Sequence, residues 1–136
     1  MQFSLLRGLT PENPEEKKMM SYKLVMPEDM NPYGFLFGGK MLMWIDEVAS
    51  IAVMQDYPGL AFVTVGMAES VFKKSVPPRS ILRFDSMRKR IGTTSVTYHV
   101  DVYSRPAVGE AAEEHVFHTD ITFVHVDKNG RKQQIG

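Results

Sequence analysis

The chain has 136 residues and no cysteine, and its 16 basic side chains balance its 16 acidic ones. This length suits one domain, the lack of cysteine excludes disulfides and thiolate chemistry, and the zero net charge does not indicate nucleic-acid binding. The N-terminal apolar run is too short for a signal peptide, and no window reaches the roughly 18 apolar residues of a membrane span. We therefore expect a cytoplasmic protein with no membrane partner.

The chain begins with a segment that we interpret as a leader, residues 1–20. Two prolines and the run E-E-K-K interrupt any regular element there. We assign residues 21–136 to a single domain. In its first element, Ser21–Met26, polar and apolar residues alternate as they do in a short strand. A loop follows, with Asn31 as one of its turn residues.

The longest apolar segment is predicted to form a helix from Gly38 to roughly Asp56. Apolar residues lie almost all around it, which is typical of a helix enclosed by the fold or by a partner. The sequence D-Y-P-G ends the helix.

The rest of the chain is strand-like, so the pattern is α+β with the helix first and an antiparallel sheet after it. We expect a strongly curved sheet that wraps around the helix. Because one small sheet covers the helix incompletely and leaves edge strands, we also expect a homodimer. The four predicted strands are Leu60–Phe72, Ile81–Ile91, Thr94–Tyr103 and His115–Val126.

Of the adjacent carboxylates Asp46 and Glu47, Asp46 lies on the more enclosed face of this helix. At about 100° per residue it shares a face with Leu42 and Ser50, whereas Glu47 points about 100° away and is interpreted as a structural or interface residue. A carboxylate in a partly apolar cleft suits a general base or a nucleophile. The alternative is that Asp46 only pairs with a neighbouring group, and that Ser50 is only a small polar residue at a helix contact.

Gly38 and Gly39 stand at the start of the helix. Free N–H groups and the positive end of the helix dipole lie there, and glycine lets a substrate carbonyl approach closely. Asn31, in the preceding loop, has an amide that can donate to such a carbonyl or hold a water. The alternatives are that the glycines only permit close packing and that Asn31 stabilises its own turn.

These residues form the pattern N-x-x-G-x-x-F-G-G-x-x-x-x-x-x-D-E, which is followed by V-T-V and then R-x-G-T-T-S. From about Val25 to Arg131 the chain resembles the hotdog-fold acyl-CoA thioesterases, in the branch of the bacterial and brain-type acyl-CoA hydrolases. The resemblance implies a long helix wrapped by a curved antiparallel sheet in a double-hotdog dimer, either alone or as part of a dimer-based hexamer. It implies hydrolysis of an acyl-CoA to a free acid and coenzyme A, with no metal and no cofactor other than the substrate's own coenzyme A.

The same resemblance implies roles for the site residues. Asp46 would activate water or attack directly, the thioester carbonyl would rest at Gly38 and Gly39, and Asn31 would come from the facing subunit. Ser50 would help to orient the water. For the coenzyme A phosphates we expect basic side chains and free backbone N–H groups; the candidates are Lys73, Arg90, Gly92, Thr93 and Thr94.

The four histidines are interpreted as structural, and we expect His115 and His118 to point to opposite faces because strand side chains alternate. The missing histidine in the catalytic loop argues against a hotdog dehydratase. A non-catalytic module that binds acyl-CoA remains an alternative.

One departure from the family is the turn at residues 75–80, which lacks the family's frequent Gly-Asp pair and has Arg79-Ser80 instead.

Overall fold

A computed structural model describes residues 18–136. One long helix, α1, spans Gly38–Asp56, the predicted range, and a 3-10 turn at Pro27–Asp29 precedes it. Five strands complete the domain: β1 Met19–Leu24, β2 Ala61–Phe72, β3 Ser80–Ile91, β4 Ser95–Pro106 and β5 Glu114–Val126.

The first strand begins two residues earlier than the sequence predicted. Met19 and Met20, which we assigned to the leader, are paired with Ser86 and Asp85 of β3. The remainder of the predicted leader, residues 1–17, lies outside the described residues.

The five strands form one antiparallel sheet in the order β1-β3-β4-β5-β2. The helix lies across the inner face of the sheet. This is the predicted α+β architecture of a helix wrapped by an antiparallel sheet.

Only one side of α1 is covered by the part of the chain that the structure describes, residues 18–136. Met41, Ile45 and Ala49 are fully buried, at the three-to-four-residue spacing of one helical face. Met43, Ile51 and Met54, on the opposite side, are exposed, and so is Leu42, which lies beside the buried face. The expectation that one small sheet covers the helix incompletely is therefore met, and an apolar helix face remains for another surface to cover.

Strand β2 is an edge of the sheet and is exposed along most of its length. Val63, Val65 and Val71 are among its exposed apolar side chains. Because an edge strand carries unpaired backbone groups, a long apolar edge beside an uncovered helix is suited to pairing with a second chain.

The turn before β3 has Arg79-Ser80 where the resemblance would place a Gly-Asp pair. Arg79 has φ +59°, the left-handed conformation that glycine adopts most easily. Ser80 takes the place of the family's aspartate, and its hydroxyl donates to the Pro77 carbonyl at 2.8 Å. The turn thus keeps a left-handed residue without glycine.

The outer face of the sheet corrects one prediction about the histidines. His115 and His118 stack with their ring centroids 5.7 Å apart, so they share a face. The register shifts between Val102 and Tyr103 of β4, where Val116 of β5 has no partner. This β-bulge adds a residue between the two histidines and reverses the expected alternation.

Candidate active site

Asp46 lies near the middle of α1 and receives a hydrogen bond from the neighbouring strand. The Thr64 hydroxyl of β2 donates to Asp46 Oδ1 at 2.7 Å. No partner of Oδ2 is recorded among residues 18–136. Asp46 is half-buried, Thr64 is exposed, and both lie beside the uncovered face of the chain. One carboxylate oxygen is thereby fixed, while the other is free to accept a proton.

Thr64 is the residue that the sequence analysis missed. Its V-T-V strand was part of the family pattern, but nothing in the sequence showed that its hydroxyl would meet Asp46, 18 positions earlier. Glu47, by contrast, is exposed on the helix, as expected of a residue turned away from Asp46.

Asn31 organises the loop before the helix. Its side-chain oxygen accepts the backbone N–H groups of Tyr33 at 2.9 Å and Phe35 at 3.0 Å. The structural alternative for Asn31 is therefore real: it stabilises its own turn. The side-chain NH₂ group has no recorded partner among the described residues, so the same residue retains two donors for another molecule.

The start of α1 offers free backbone donors. The first helical bond runs from Met41 N–H to the Phe37 carbonyl, and no acceptor is recorded within residues 18–136 for the N–H groups of Gly38 and Gly39. Nothing lies within 4 Å of the place where a Cβ on Gly39 would stand. At Gly38 a Cβ would meet the Phe72 ring at 3.6 Å, an ordinary contact. Close packing therefore does not require glycine at position 39.

An ion pair between Lys40 and Asp29 holds the segment that leads into the helix. Their side chains are 3.3 Å apart, Asp29 is buried, and its other oxygen accepts the Met26 N–H at 2.9 Å. This pair fastens the 3-10 turn to the first turn of α1.

A cleft of about 410 Å³ opens beside the helix N-terminus. It brings Asn31 and Gly38 together with Phe72 and Lys73 from the end of β2, and Asp46 is not part of its lining. The single chain thus joins two of the predicted groups, the amide and the helix N-terminus, but places the carboxylate elsewhere.

Comparison with known proteins identifies the family. The family model described as the thioesterase superfamily matches residues 33–111. The chain belongs to the thioesterase superfamily. An acyl-CoA thioester hydrolase of Bacillus subtilis is 30% identical over 90% of this chain and 71% of its own length. One from Haemophilus influenzae is 28% identical over 94% of this chain and 85% of its own.

Solved structures agree with the sequence comparison. The acyl-CoA hydrolase of Staphylococcus aureus, in complex with butyryl coenzyme A and coenzyme A, has a TM-score of 0.79 at 27% identity, over 89% of this chain and 73% of that one. Alanine variants of that hydrolase have been solved at an aspartate, a threonine and an asparagine. A hexameric hotdog-fold thioesterase of Campylobacter jejuni has a TM-score of 0.78 at 31% identity, over 85% and 88% of the two chains. The predicted family and fold are confirmed.

The coenzyme A candidates of this thioesterase lie at two ends of the chain's own sheet. Lys73 follows β2, near the helix N-terminus, whereas Gly92 lies in the β3–β4 turn. The Gly92 N–H donates to the Ser95 carbonyl at 2.7 Å, so it is not free for a phosphate, contrary to our expectation. The Thr93 and Thr94 carbonyls accept backbone N–H groups from the C-terminal part of the chain.

Arg90 and Ser50 remain candidates with few internal contacts. Arg90 is exposed and makes one long hydrogen bond of 3.4 Å to the Thr97 hydroxyl. Ser50 is half-buried one turn after Asp46, as expected, and no side-chain hydrogen bond is recorded for it among the described residues.

Two histidines and two aspartates form a polar network on the outer face of the sheet of this thioesterase, and the His118 ring packs against both histidine rings. His99 contacts Asp120 at 2.6 Å and Asp101 at 3.3 Å, and His115 contacts Asp101 at 2.8 Å. Burial raises the pKa of Asp120, but hydrogen bonds from Lys89 and His99 lower it below its ordinary value. Over residues 18–136, no group of three or more histidine, cysteine, aspartate or glutamate side chains is arranged to hold a metal ion.

His125 is buried and bonds through Nδ1 to the Ala61 carbonyl at 2.9 Å, a structural contact. No helix within the described part of the chain is long and apolar enough to cross a membrane.

Proposed function

We propose that this thioesterase hydrolyses acyl-CoA thioesters to a free acid and coenzyme A, with Asp46 as the general base or the nucleophile. The observation that carries this proposal is the bond from Thr64 to Asp46 at 2.7 Å, beside an uncovered face of the chain. It supplies an oriented carboxylate where a second subunit would complete a cleft.

The relatives support both the substrate and the residues. The proteins from Bacillus subtilis and Haemophilus influenzae are named acyl-CoA thioester hydrolases, and the staphylococcal hydrolase was solved with butyryl coenzyme A. In that hydrolase the substituted asparagine stands fifteen positions before the aspartate, as Asn31 stands before Asp46. Its threonine follows the aspartate by seventeen positions, against eighteen for Thr64.

The chemistry follows from the two carboxylate oxygens. Oδ1 is held by Thr64, and Oδ2 takes a proton from water as the water oxygen attacks the thioester carbon. The C–S bond then breaks, and the proton passes to the departing coenzyme A sulfur. If Asp46 attacks directly, an anhydride forms and water cleaves it, with the same products.

The oxyanion that forms in this step needs donors near the carbonyl. The free N–H groups of Gly38 and Gly39 and the positive end of the α1 dipole suit it. These groups lie eight or seven residues before Asp46, which is on the order of 10 Å along the helix axis. Because base and donors must both reach one reacting group, we infer that they come from two different chains.

The edge strand β2 supplies the geometry for such sharing. If two copies of β2 pair antiparallel, as edge strands in a two-fold dimer do, the end of one β2 lies beside the beginning of the other. The cleft with Asn31, Gly38 and Lys73 lies at the end of β2. Asp46, bonded to Thr64, lies nearer its beginning. Pairing therefore moves the partner's Asn31 towards this chain's Asp46.

The same arrangement explains the divided coenzyme A candidates. Arg90, Thr93 and Thr94 lie at the end of β3, the end of the sheet where β2 begins. In an antiparallel dimer, Lys73 of the other subunit approaches this end. We propose that Arg90 and Lys73 bind the phosphates of one coenzyme A from two chains, and that Ser50 contacts the attacking water.

We also propose assembly beyond the dimer. Three solved neighbours, among them the thioesterase of Campylobacter jejuni, are described as hexameric. A hexamer of three dimers keeps the shared active site intact, because each dimer contains two complete sites.

The direct test replaces the carboxylate with its neutral isostere. Asp46→Asn protein should fold and assemble as the wild type does, and release of coenzyme A, followed with a thiol reagent across short, long and aryl acyl-CoAs, should fall by about 10²-fold or more. Glu47→Gln, the same change on the exposed neighbour, should keep the wild-type rate. Wild-type protein that binds acyl-CoA without releasing a thiol would instead identify a non-catalytic binding module.

A further inference from the structure

The outer side of β1 carries a second exposed apolar surface. Met20, Tyr22 and Leu24 are 49%, 62% and 49% exposed, and Met26 continues the row just after the strand. We call these four side chains the β1 stripe. The four side chains follow one another along one side of the strand, and an exposed apolar row of this kind often marks an interaction site.

Strand pairing fixes the side of the sheet on which the stripe lies. Tyr22 pairs with Arg83 and Met20 pairs with Asp85, and directly opposite residues point to the same face. Arg83 and Asp85 belong to the outer face, because Phe84 between them is fully buried in the core. The stripe is thus on the face opposite to α1.

The stripe is also remote from the surface that we assign to the dimer. In the strand order β1-β3-β4-β5-β2, β1 and β2 are the two opposite edges of the sheet. A partner on β2 and on the exposed side of α1 therefore leaves the β1 stripe uncovered.

We infer that the β1 stripe is the contact between dimers in the hexamer, with a second copy of this chain as its occupant. This inference rests on the proposed hexamer. An assembly of three dimers needs one interface within each dimer and a separate one between dimers. Among the described residues, one exposed apolar surface lies along α1 and β2 and a separate one lies on β1, at the opposite edge of the sheet, which matches that requirement.

The polar residues beside the stripe are compatible with burial between subunits. Arg83 donates two hydrogen bonds to Asp85, at 2.7 and 2.6 Å, and two to Glu113, at 3.1 and 3.0 Å. Lys18 lies 3.7 Å from Asp85. Because these charges are already paired within one chain, burying them at the rim leaves no isolated charge, and such rims are common around apolar interface centres.

The test places charge on the stripe and measures the mass in solution. In the full chain, Tyr22→Lys combined with Leu24→Lys adds two like charges per subunit to the contact. Light scattering should show a hexamer for the wild type and a dimer, one third of that mass, for the variant. Val108→Lys is the matched control, since Val108 is 87% exposed in the β4–β5 loop; that variant should remain hexameric.

Three outcomes would overturn the inference. A wild-type mass equal to a dimer removes the second interface, and an unchanged hexamer in the variant means that something else covers the stripe, such as residues 1–17 of the same chain. A folded monomer in the variant would place the stripe in the two-fold interface instead. Thiol release is measured in parallel: its absence from the wild type would refute the proposed activity, while the masses still decide on the interface.

Discussion

Thr64 donates a hydrogen bond of 2.7 Å to Asp46, and so joins the edge strand of the sheet to the middle of the only long helix among residues 18–136. The bond uses Oδ1, and Oδ2 has no hydrogen-bond partner among residues 18–136. The orientation of the proposed base is thus set by a neighbouring strand and not by the helix alone.

Removing this hydroxyl should slow the reaction without weakening substrate binding. In Thr64→Val the side-chain shape is kept, but a hydrogen bond worth about 1.4 kcal/mol in orienting the base is lost, so kcat should fall on the order of 10-fold with KM little changed. Thr64→Ser keeps the donor and should retain most of the rate. Equal kcat for the valine and serine variants would mean that the bond is only structural.

Active-site sharing between subunits can be tested by mixing two inactive proteins. Asn31→Asp keeps the oxygen that caps the loop but removes the amide donor, and Asp46→Asn removes the base. If Asn31 serves the partner's Asp46, a mixed dimer contains one intact site. Unfolding and refolding the two variants together should therefore restore thiol release, to about one quarter of the wild-type rate from random pairing.

The control for this experiment is each variant refolded by itself, which should stay inactive. A mixture that shows no more thiol release than the sum of the separate variants, although light scattering and mass spectrometry detect mixed dimers, would place both residues of a site in the same chain.

The substitution Gly39→Ala distinguishes a packing role of this glycine from a catalytic one. An added Cβ meets nothing within 4 Å, and alanine is the better helix former, so Gly39→Ala should be as stable as the wild type or up to about 1 kcal/mol more stable. If the thioester carbonyl rests against this backbone, the methyl group should displace it and reduce kcat/KM at least 10-fold. Thermal unfolding and thiol release measure the two effects, and a fully active Gly39→Ala protein would contradict the oxyanion assignment.

The buried hydroxyl of Tyr98 leads us to predict that the folded state loses stability at alkaline pH. Its hydroxyl is fully buried and donates to Asp56 at the end of α1 at 2.5 Å; burial first, and then this bond, raise its pKa far above the ordinary value of 10.0. A raised pKa stabilises the fold fully below pH 10 and loses that contribution as the pH rises above it.

Tyr98→Phe should therefore flatten the alkaline loss of the free energy of unfolding, measured by urea titration between pH 8 and 11. The variant should also lose about 1–2 kcal/mol near neutral pH, because Asp56 loses its donor. Tyr33→Phe, at a side chain that is 85% exposed, should leave the alkaline slope unchanged. The same slope in the wild type and in Tyr98→Phe would contradict the assignment.

The sequence by itself determined the elements and the family. The long apolar segment that follows the glycine pair predicted α1 with its observed bounds, because it is too long for a strand and the sequence D-Y-P-G ends it. The family pattern, which runs from Asn31 to Glu47, lies on one continuous stretch of chain, and therefore it could be recognised without any tertiary information.

Only the tertiary structure decided which distant residues meet. A hydrogen bond from Thr64 to Asp46 depends on where β2 crosses the helix, and the bond from Gly92 to Ser95 depends on the shape of one turn. The stacking of His115 on His118 depends on a bulge, which inserts one residue into a strand and cannot be read from alternation. Local patterns fix local structure because they reflect nearest neighbours along the chain, whereas a site is built from contacts that form only when the sheet closes around the helix.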